Sequence, residues 1–543
     1  MKTAESLYYN GTIYCSAKAD SRAETVAVAG GKILFAGSRQ DAEPYIQEET
    51  ELIDLKGGVM FPGFIDAHAH PVMAAYFLSG ILLDVNMGRQ EILAAVQKYI
   101  GEYPEKETYF GHGYAEWFFE RERLHKEELD AICPDKPIVI TGSSGHEGWC
   151  NSKALEMAGI DRNFPDPVPG FHFFRRDENG EPTGNFMEMG CLSILCERLN
   201  LFEEETVRRQ LKQVFEYFSS IGITAIADCG SLPFMEEMGL PIIADMAYDR
   251  SLRQRIFGCC FVARPEDKEG AVEQLRQLRK TYFLPDWLEM KTLKIINDGT
   301  MESRTASLSK PYLGAARCVS PMLEGEDLQD LCLDAAGKGF DVYIHAIGDR
   351  AIHETVLAAE KIRRAGFHKT RITNAHTELV QEEDIPRFAQ WNITANTTGG
   401  WHYGTEDEKK TIGERADRLF PLQSILQAGG RMSLGSDFPV DEQGANPMIS
   451  METGVTRQLA GNREGLILQP ESQRLTIEQM LEGYTASAAY QLGMESKLGS
   501  IEPGKYADFT VLGADPFEVE TYQIHKIPIC MTVAGGKITY KKE

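Results

Sequence analysis

The chain has 543 residues, of which 43% are hydrophobic, and its 81 acidic and 56 basic residues give a formal net charge of -25. This length exceeds the ~250–300 residues at which a single hydrophobic core stops growing, so we expect more than one domain. The negative charge repels phosphate backbones and anionic lipid surfaces. The composition therefore argues against nucleic-acid and membrane partners and leaves a small-molecule substrate as the expected one.

The 11 cysteines are scattered and show no C-x-x-C spacing. An odd number without such pairs favours reduced thiols in a cytoplasm over a disulfide framework or a cysteine zinc site. The N-terminal MKTAESLYYNGTIY lacks the apolar core of a secretion signal, and no apolar stretch of ~18 residues occurs. We therefore expect a cytoplasmic protein that is neither exported by a cleaved signal nor membrane-spanning.

The two ends of the chain share a short sequence. VAGGKI occurs at residues 28–33 and again at 533–538, and each Gly-Gly pair lies between apolar runs, which is typical of a tight hairpin turn. A further β-rich run covers 507–512. These patterns predict a small β-sandwich domain built from residues 1–58 and 497–543 together.

The apolar run MFPGFIDAHAHP at residues 60–71 ends in two histidines. Side chains two residues apart on a strand share a face, so His68 and His70 point the same way, and Pro71 cannot continue a central strand. Imidazole is the commonest metal ligand, and parallel barrels carry their chemistry at the carboxyl ends of strands. The run predicts a buried strand that ends in a metal site; the alternative is two unrelated surface histidines.

From residue 206 onward, amphipathic helical stretches alternate with short β-rich runs. The helical stretches are 206–221, 268–281, 326–337, 350–365, 381–389 and 422–428. The β-rich runs are 222–228, 254–261, 293–298, 341–345, 371–376, 393–397 and 431–437. With the first strand these make eight strand-helix units, which predict an α/β fold of the (β/α)8 TIM-barrel type over residues 59–80 and 206–496.

A large insertion separates the first predicted barrel strand from the second. This gap at 81–205 far exceeds the usual βα connection of a few residues, so we expect it to be folded. It contains strand-like runs at 108–110 and 137–141. Because insertions on βα loops lie at the barrel mouth, we expect this segment to form a lid or a pocket wall.

Polar residues at the ends of five predicted barrel strands form an ordered set. They are His68 and His70 on strand one, Lys294 and Asp298 on strand four, His345 on strand five, His376 on strand six and Asp437 on strand eight. Together with PGFIDAHAH, LKIINDGTMESRTA, IHAIGDRA, NAHTE, GSDFPV and LGSIEPGKYADFTVL, this set resembles the amidohydrolase superfamily. The motifs are most similar to the amidohydrolase 3 branch, which includes N-substituted formamide deformylase and the YtcJ- and AepA-like proteins.

The resemblance implies a (β/α)8 barrel with a divalent metal site. The metal ligands it implies are His68, His70, Lys294, His345, His376 and Asp437. It also implies that Lys294 is carboxylated and bridges two ions. Independently, a lysine between Leu293 and Ile295 in a central strand would be buried and would need a partner. The alternative is an ordinary lysine paired with Asp298.

Histidine and carboxylate ligands suit Zn2+ best, with Fe, Mn or Co also possible. A bound ion lowers the pKa of a water molecule toward ~7 and so supplies hydroxide at neutral pH. Asp437 could act as general base toward that water and then as general acid toward the leaving amine; the alternative is a turn aspartate before Pro439. We therefore expect a metal-dependent amidohydrolase that cleaves a carbon-nitrogen bond of an amide, N-acyl or N-formyl substrate.

Weaker candidates for substrate binding lie near the predicted site. They are His146, Trp149, Asp298, Arg304, Trp401 and His402. Each could equally be a packing or surface residue, although His146 and Arg304 match family motifs. The chain also departs from its relatives, with Asn374 where a glutamate is common before the strand-six histidine and TTGGW at 397–401 instead of Gln-Pro. The identity of the substrate therefore does not carry over.

Two other functions fit the same barrel. A deaminase of a cyclic amidine is one, but deaminases of this superfamily usually lack the strand-four lysine, so Lys294 counts against it. A non-catalytic amidohydrolase-like protein with a regulatory or structural role is the other, and such proteins have typically lost ligands that are all filled here. By analogy with the superfamily, a homodimer is possible.

Overall fold

The computed structural model describes residues 3–115, 124–170, 172–405, 407–440 and 444–542. The chain divides into two compact units. The larger comprises Met1–His70, Phe215–Gly230 and Ala244–Glu543, and the smaller comprises Pro71–Val214 and Ser231–Ile243.

The larger unit contains a barrel of eight parallel strands, named barrel strands one to eight in chain order. Their bounds are Phe64–Ala69, Ile223–Asp228, Arg255–Val262, Leu288–Ile296, Asp341–Ala346, Ile372–His376, Ile393–Thr398 and Arg431–Gly435. Each strand pairs in parallel with the next. Strands one and eight meet just beyond their ends, where the Asp437 N–H donates to the His68 carbonyl at 2.8 Å and the His70 N–H to the Phe438 carbonyl at 2.9 Å. The predicted TIM barrel is confirmed.

Helices follow the barrel strands; six of them match the predicted stretches with ends that differ by a few residues, and the last three in the chain were not predicted. Their bounds are Glu204–Ser220, Pro233–Tyr248, Ala271–Thr281, Glu326–Gly337, Asp349–Arg364, Ile385–Gln390, Leu422–Gln427, Pro447–Thr456, Ile477–Tyr484 and Ala486–Gln491. The helix Pro233–Tyr248 was not predicted. Its apolar residues surround most of the helix rather than forming one stripe, and Pro241 lies inside it, so the sequence lacks the usual helical pattern.

Both termini build a β-sandwich in the larger unit, and it also contains Val59–Pro62, which the sequence had assigned to the barrel. One sheet contains Ser6–Tyr9, Thr25–Ala29, Lys32–Gly37 and Glu51–Asp54, and the other contains Thr12–Tyr14, Arg22–Ala23, Val59–Pro62, Phe509–Leu512, Ile529–Ala534 and Lys537–Lys541. Tyr8, Met60 and Phe509 belong to the core between the sheets. The two Gly-Gly pairs form hairpin turns with positive φ, and a Cβ on Gly31 would lie 2.8 Å from the Gly535 carbonyl oxygen. Because the repeated turns lie this close together, only glycine fits at Gly31.

The smaller unit is organised around a mixed six-stranded sheet. Its strands are Ile81–Leu82, Tyr109–Tyr114, Ile138–Gly142, Glu147–Cys150, Phe173–Arg176 and Pro182–Met187. Its shorter helices are Pro71–Phe77, Arg89–Glu102, Lys126–Asp130, Ser152–Ala158 and Met189–Leu199. The strand-like runs at 108–110 and 137–141 correspond to two of these strands, so the insertion is folded. Its role as a lid or pocket wall stays a prediction.

Disulfides and membrane-spanning helices were not expected from the sequence. None of the 11 cysteines, all of which lie in the described ranges, takes part in a disulfide. Among the described residues, no helix combines the length and the apolar character that crossing a bilayer requires. The cytoplasmic location stays a prediction.

A buried ion pair joins the barrel to the sandwich within the larger unit. Arg255, which begins barrel strand three and is 1% exposed, donates from Nε and Nη2 to the Asp508 carboxylate at 2.7 and 3.0 Å. Its guanidinium lies 4.5 Å from the Trp287 ring centroid and 4.1 Å from that of Tyr506. Asp508 also accepts the Gly535 N–H at 2.6 Å. Removing either charge would leave the other buried without its partner.

We predict that Asp508→Ala lowers the free energy of unfolding by about 3–5 kcal/mol, because it leaves the Arg255 guanidinium buried without a counter-charge. Chemical denaturation followed by circular dichroism measures the change. Arg276→Ala is the matched control, since it removes an exposed arginine paired with Glu273. A denaturation midpoint for Asp508→Ala equal to that of Arg276→Ala would contradict the prediction.

Candidate active site

His68, within barrel strand one, and His70, just after it, face the aspartate that follows strand eight. His68 Nε2 lies 3.4 Å from Asp437 Oδ1, and His70 Nε2 lies 3.2 Å from the same oxygen. All three residues are buried, and their candidate ligand atoms lie within 4.8 Å of one another. This spacing is the direct result of barrel closure.

Hydrogen bonds to the far side of each ring set which nitrogen faces the centre. His70 Nδ1 lies 2.5 Å from the Gly230 carbonyl oxygen, which can only accept, so Nδ1 carries the proton. His68 Nδ1 lies 3.3 Å from Asn396 Oδ1. Both Nε2 atoms therefore present a lone pair toward Asp437, as metal-binding histidines do.

Two further side chains connect Asn396 to the backbone of barrel strand one. Its Nδ2 donates to Ser433 Oγ at 3.1 Å, and that hydroxyl donates to Gln491 Oε1 at 2.5 Å. Gln491 Nε2 donates to the Ala67 carbonyl at 2.8 Å, beside His68. These residues were not predicted from the sequence. Each is a buried polar side chain that no local sequence pattern distinguishes.

Lys294 lies inside barrel strand four and is fully buried. Its Nζ is 3.4 Å from His68 Nε2 and 4.5 Å from the Tyr343 ring centroid. Within the part of the chain that the structure describes, no carboxylate lies within 4.0 Å of Nζ. The alternative considered from the sequence, an ion pair between Lys294 and Asp298, is therefore not formed.

Asp298 lies beyond the end of strand four, where its carboxylate accepts three backbone N–H groups. The donors are Ser307 at 2.8 Å, Ile347 at 3.0 Å and Gly348 at 2.9 Å. Burial raises the pKa of Asp298 to about 7 despite these bonds. Its main visible role is to hold together the loops that follow strands four and five.

His345 and His376 complete the cluster. Their ring centroids lie 4.5 Å apart, and the His376 centroid lies 4.9 Å from that of His68. His376 and Asp437 have φ values of 68° and 56°, which turn the chain sharply as strands six and eight end. The structure thus brings all six predicted ligands into one continuous group of contacts.

The electrostatics of this group suit a divalent cation. Burial, followed by the nearby Lys294 and the other histidines, lowers the pKa of His68 well below its usual value, so its imidazole is neutral. Neutral imidazoles and a carboxylate are the donors that zinc and related ions prefer. Lys294 is also fully buried without a carboxylate partner among the described residues, which is expected where a bound charged group interacts with it. The residues present therefore fit a metal centre.

The weaker candidates near the barrel mouth differ in their surroundings. The Trp401 ring lies nearly parallel to that of His376, with centroids 5.7 Å apart and 10° between the planes. His402 is buried, and its Nε2 lies 2.8 Å from Thr397 Oγ1; burial lowers its pKa to about 3. Arg304 is exposed. The structure therefore brings Trp401 against the cluster, whereas His402 is a neutral residue of the interior.

The remaining two candidates belong to the smaller unit. His146 Nδ1 lies 2.6 Å from Glu188 Oε2. Trp149 is fully buried and belongs to the hydrophobic core of that unit with Tyr114 and Ile140. Their roles in substrate binding, like that of Arg304, stay predictions.

Residues 51–540 match the sequence pattern of the amidohydrolase family. The chain therefore belongs to the amidohydrolase family and is a hydrolase of that family. It is 29% identical to the putative amidohydrolase YtcJ of Bacillus subtilis (strain 168), covering 99% of this chain and 100% of that one. It is 26% identical to N-substituted formamide deformylase of Arthrobacter pascens, covering 96% of each.

A solved structure shows the same fold. The uncharacterized metal-dependent hydrolase of Pyrococcus horikoshii OT3 is similar with a TM-score of 0.76 and 22% identity, covering 95% of this chain and 99% of that one.

We predict that Asn396→Leu lowers the affinity for Zn2+ by about 10–100-fold, because His68 loses the acceptor that orients its ring. Competition with a chromogenic chelator measures the affinity. Asn396→Asp keeps an acceptor oxygen and should restore most of it, and Asn86→Leu, at an exposed position, is the control. Unchanged affinity in Asn396→Leu would rule out this positioning role.

Proposed function

We propose that the protein is a metal-dependent hydrolase that cleaves the carbon-nitrogen bond of an amide, N-acyl or N-formyl small molecule. The observation that carries this proposal is the meeting of six potential ligands from five strand ends in one buried cluster. The similarity to N-substituted formamide deformylase supports the choice of bond. Lys294 within the cluster disfavours a cyclic amidine deaminase, and the complete ligand set disfavours a non-catalytic role.

The cluster would hold one or two divalent ions, and zinc suits its donors best, with Fe, Mn or Co possible. The ligands would be His68, His70, Lys294, His345, His376 and Asp437. Carboxylation of Lys294 by carbon dioxide would replace a buried amine with an anionic oxygen donor, which agrees with the lack of a carboxylate partner among the described residues. When bound, the ion supplies Lewis-acid activation of water and of the substrate carbonyl.

Asp437 is the residue placed to move the proton. Its carboxylate lies beside both strand-one histidines. In the proposed reaction it accepts a proton as water oxygen bonds to the carbonyl carbon, and it returns that proton to the nitrogen as the carbon-nitrogen bond breaks. The products are a carboxylic acid and an amine.

Trp401 would form one wall of the substrate site. Its ring is partly buried and lies parallel to His376. A flat apolar surface there would orient the acyl or amine portion of the substrate next to the reacting carbonyl.

We predict that protein expressed in metal-replete medium contains about one to two equivalents of a transition metal per chain. Elemental analysis by mass spectrometry measures the content. Lys294→Ala and Asp437→Ala should abolish turnover while circular dichroism stays unchanged, whereas Lys280→Ala, at an exposed position, should keep both metal and activity. Metal-free wild-type protein would favour the non-catalytic function instead.

We also predict that zinc-loaded protein releases an amine from members of a library of N-formyl and other N-acyl amines, because the ion polarises the amide carbonyl. A fluorogenic amine assay detects the product, and prior treatment with a chelator should remove the activity. Release of ammonia from cyclic amidines, without hydrolysis of any amide, would identify a deaminase and contradict the proposal.

A further inference from the structure

A cavity lies at the amino-terminal end of barrel strands seven and eight, within the larger unit. Its volume is about 370 Å³, which is within the range of small-molecule pockets. Its wall includes the apolar Phe388, Ile393 and Met432 and the polar Arg431 and Ser487. The candidate metal ligands lie toward the opposite, carboxyl-terminal ends of the strands, and strand eight alone separates its two ends by roughly 13 Å at ~3.3 Å per residue. The cavity is therefore separate from the candidate metal centre.

Arg431, the first residue of barrel strand eight, brings a guanidinium without an acceptor to this cavity. Its Nε is buried and has no hydrogen-bond partner. Among the described residues, no carboxylate lies within 4.0 Å of its nitrogens. Its Cζ lies 3.9 Å from the centroid of the Tyr490 ring, and the Tyr490 hydroxyl accepts from Asn392 Nδ2 at 2.5 Å. The ring holds the guanidinium in place but offers its N–H groups no acceptor in the ring plane.

Arg371 provides a direct comparison, because it packs on the same ring. Its Cζ lies 3.8 Å from the Tyr490 centroid, and its Nη2 is paired with the Glu495 carboxylate. The two arginines thus share one aromatic partner. Among the described residues, the chain supplies an anion to one guanidinium of this pair and none to the other.

Ser487 brings a second hydrogen-bond donor to the wall of the cavity. The residue is 3% exposed. Within the described ranges its hydroxyl makes no hydrogen bond. A buried hydroxyl without a partner costs free energy, and so does a guanidinium whose N–H groups are unpaired. Because Arg431 and Ser487 line the same cavity, one ligand can satisfy both.

The residues of the wall define the chemical class of that ligand. A guanidinium binds a carboxylate or a phosphate through two parallel hydrogen bonds, and a hydroxyl can donate a third. Glu482 also lines the cavity, and its negative charge disfavours phosphates and dicarboxylates, which carry more than one negative charge. The apolar part of the wall suits a short hydrocarbon chain.

We propose that this cavity binds a small monocarboxylate, with the carboxylate on Arg431 and Ser487 and a short apolar chain against Phe388 and Met432. The inference assigns a second binding site to the protein. It goes beyond the proposed function and does not depend on amide hydrolysis.

The test measures the binding of pentanoate to metal-loaded protein by isothermal titration calorimetry, before and after treatment with a chelator. Wild-type protein should bind one equivalent with a dissociation constant below about 1 mM, and this binding should persist after the metal is removed. Arg431→Gln should weaken it by about 10–100-fold, and Ser487→Ala by about 2–10-fold, the usual losses for a charge-assisted and a neutral hydrogen bond. Arg371→Gln is the matched control, because its guanidinium packs on the same ring but is already paired, and it should change the affinity by less than about threefold.

Pentylammonium and inorganic phosphate distinguish the proposed ligand from other occupants, and both should bind more weakly than pentanoate. Equal affinities for pentanoate and pentylammonium would overturn the inference, because binding would then be purely apolar, and tighter binding of phosphate would overturn the choice of a monocarboxylate. Lack of saturable binding would show that the cavity holds only water. Binding that the chelator abolishes and Arg431→Gln leaves unchanged would place pentanoate at the metal centre and also overturn the inference. Circular dichroism checks the fold of each variant, and Ser487→Ala tests the same site with a smaller change should Arg431→Gln not fold.

Discussion

The site depends on the closure of the barrel between its first and last strands. Two backbone hydrogen bonds, from the Asp437 N–H to the His68 carbonyl and from the His70 N–H to the Phe438 carbonyl, join segments that lie far apart in the chain. They place the carboxylate of strand eight beside both imidazoles of strand one. Asp66 reinforces the closure, because its carboxylate accepts the Ser436 hydroxyl at 2.6 Å and the Ser436 N–H at 3.0 Å. Without these contacts between strands one and eight, the candidate ligands would lie at separate edges of an open sheet.

Around the contact between barrel strands one and eight, buried polar residues position the candidate ligands without belonging to the cluster themselves. Asn396, Ser433 and Gln491 connect the His68 ring to the backbone of its own strand, and Asp298 holds the loops after strands four and five. Each of these groups is buried and satisfied by named partners, so each rigidifies its surroundings. Lys294 and Arg431 differ, because the described chain gives neither a charged partner.

The sequence allowed the barrel and the cluster of candidate ligands to be predicted because both have local signals. A histidine pair after a buried strand and single polar residues at strand ends are visible in any one segment, and the VAGGKI repeat indicates the two hairpin turns directly. The helix Pro233–Tyr248 was missed because it lacks a polar face. Asn396 and Arg431 were missed for a different reason. Their meaning depends on which residues of other strands and helices lie next to them, and no local pattern carries that information.

The candidate ligands lie on the barrel strands, whereas other polar and aromatic residues near them lie on the segments that follow the strands. The ligand cluster and Asp437 sit within or directly after rigid barrel strands, where the ladder of backbone hydrogen bonds fixes their geometry. Glu378, Glu302, Glu408 and Trp401 follow the strands, on segments that can change without disturbing the barrel. The departures from relatives at Asn374 and at TTGGW lie in or beside these segments. Substitutions in those segments can therefore change the surroundings of the candidate centre without disturbing the strands that carry the candidate ligands.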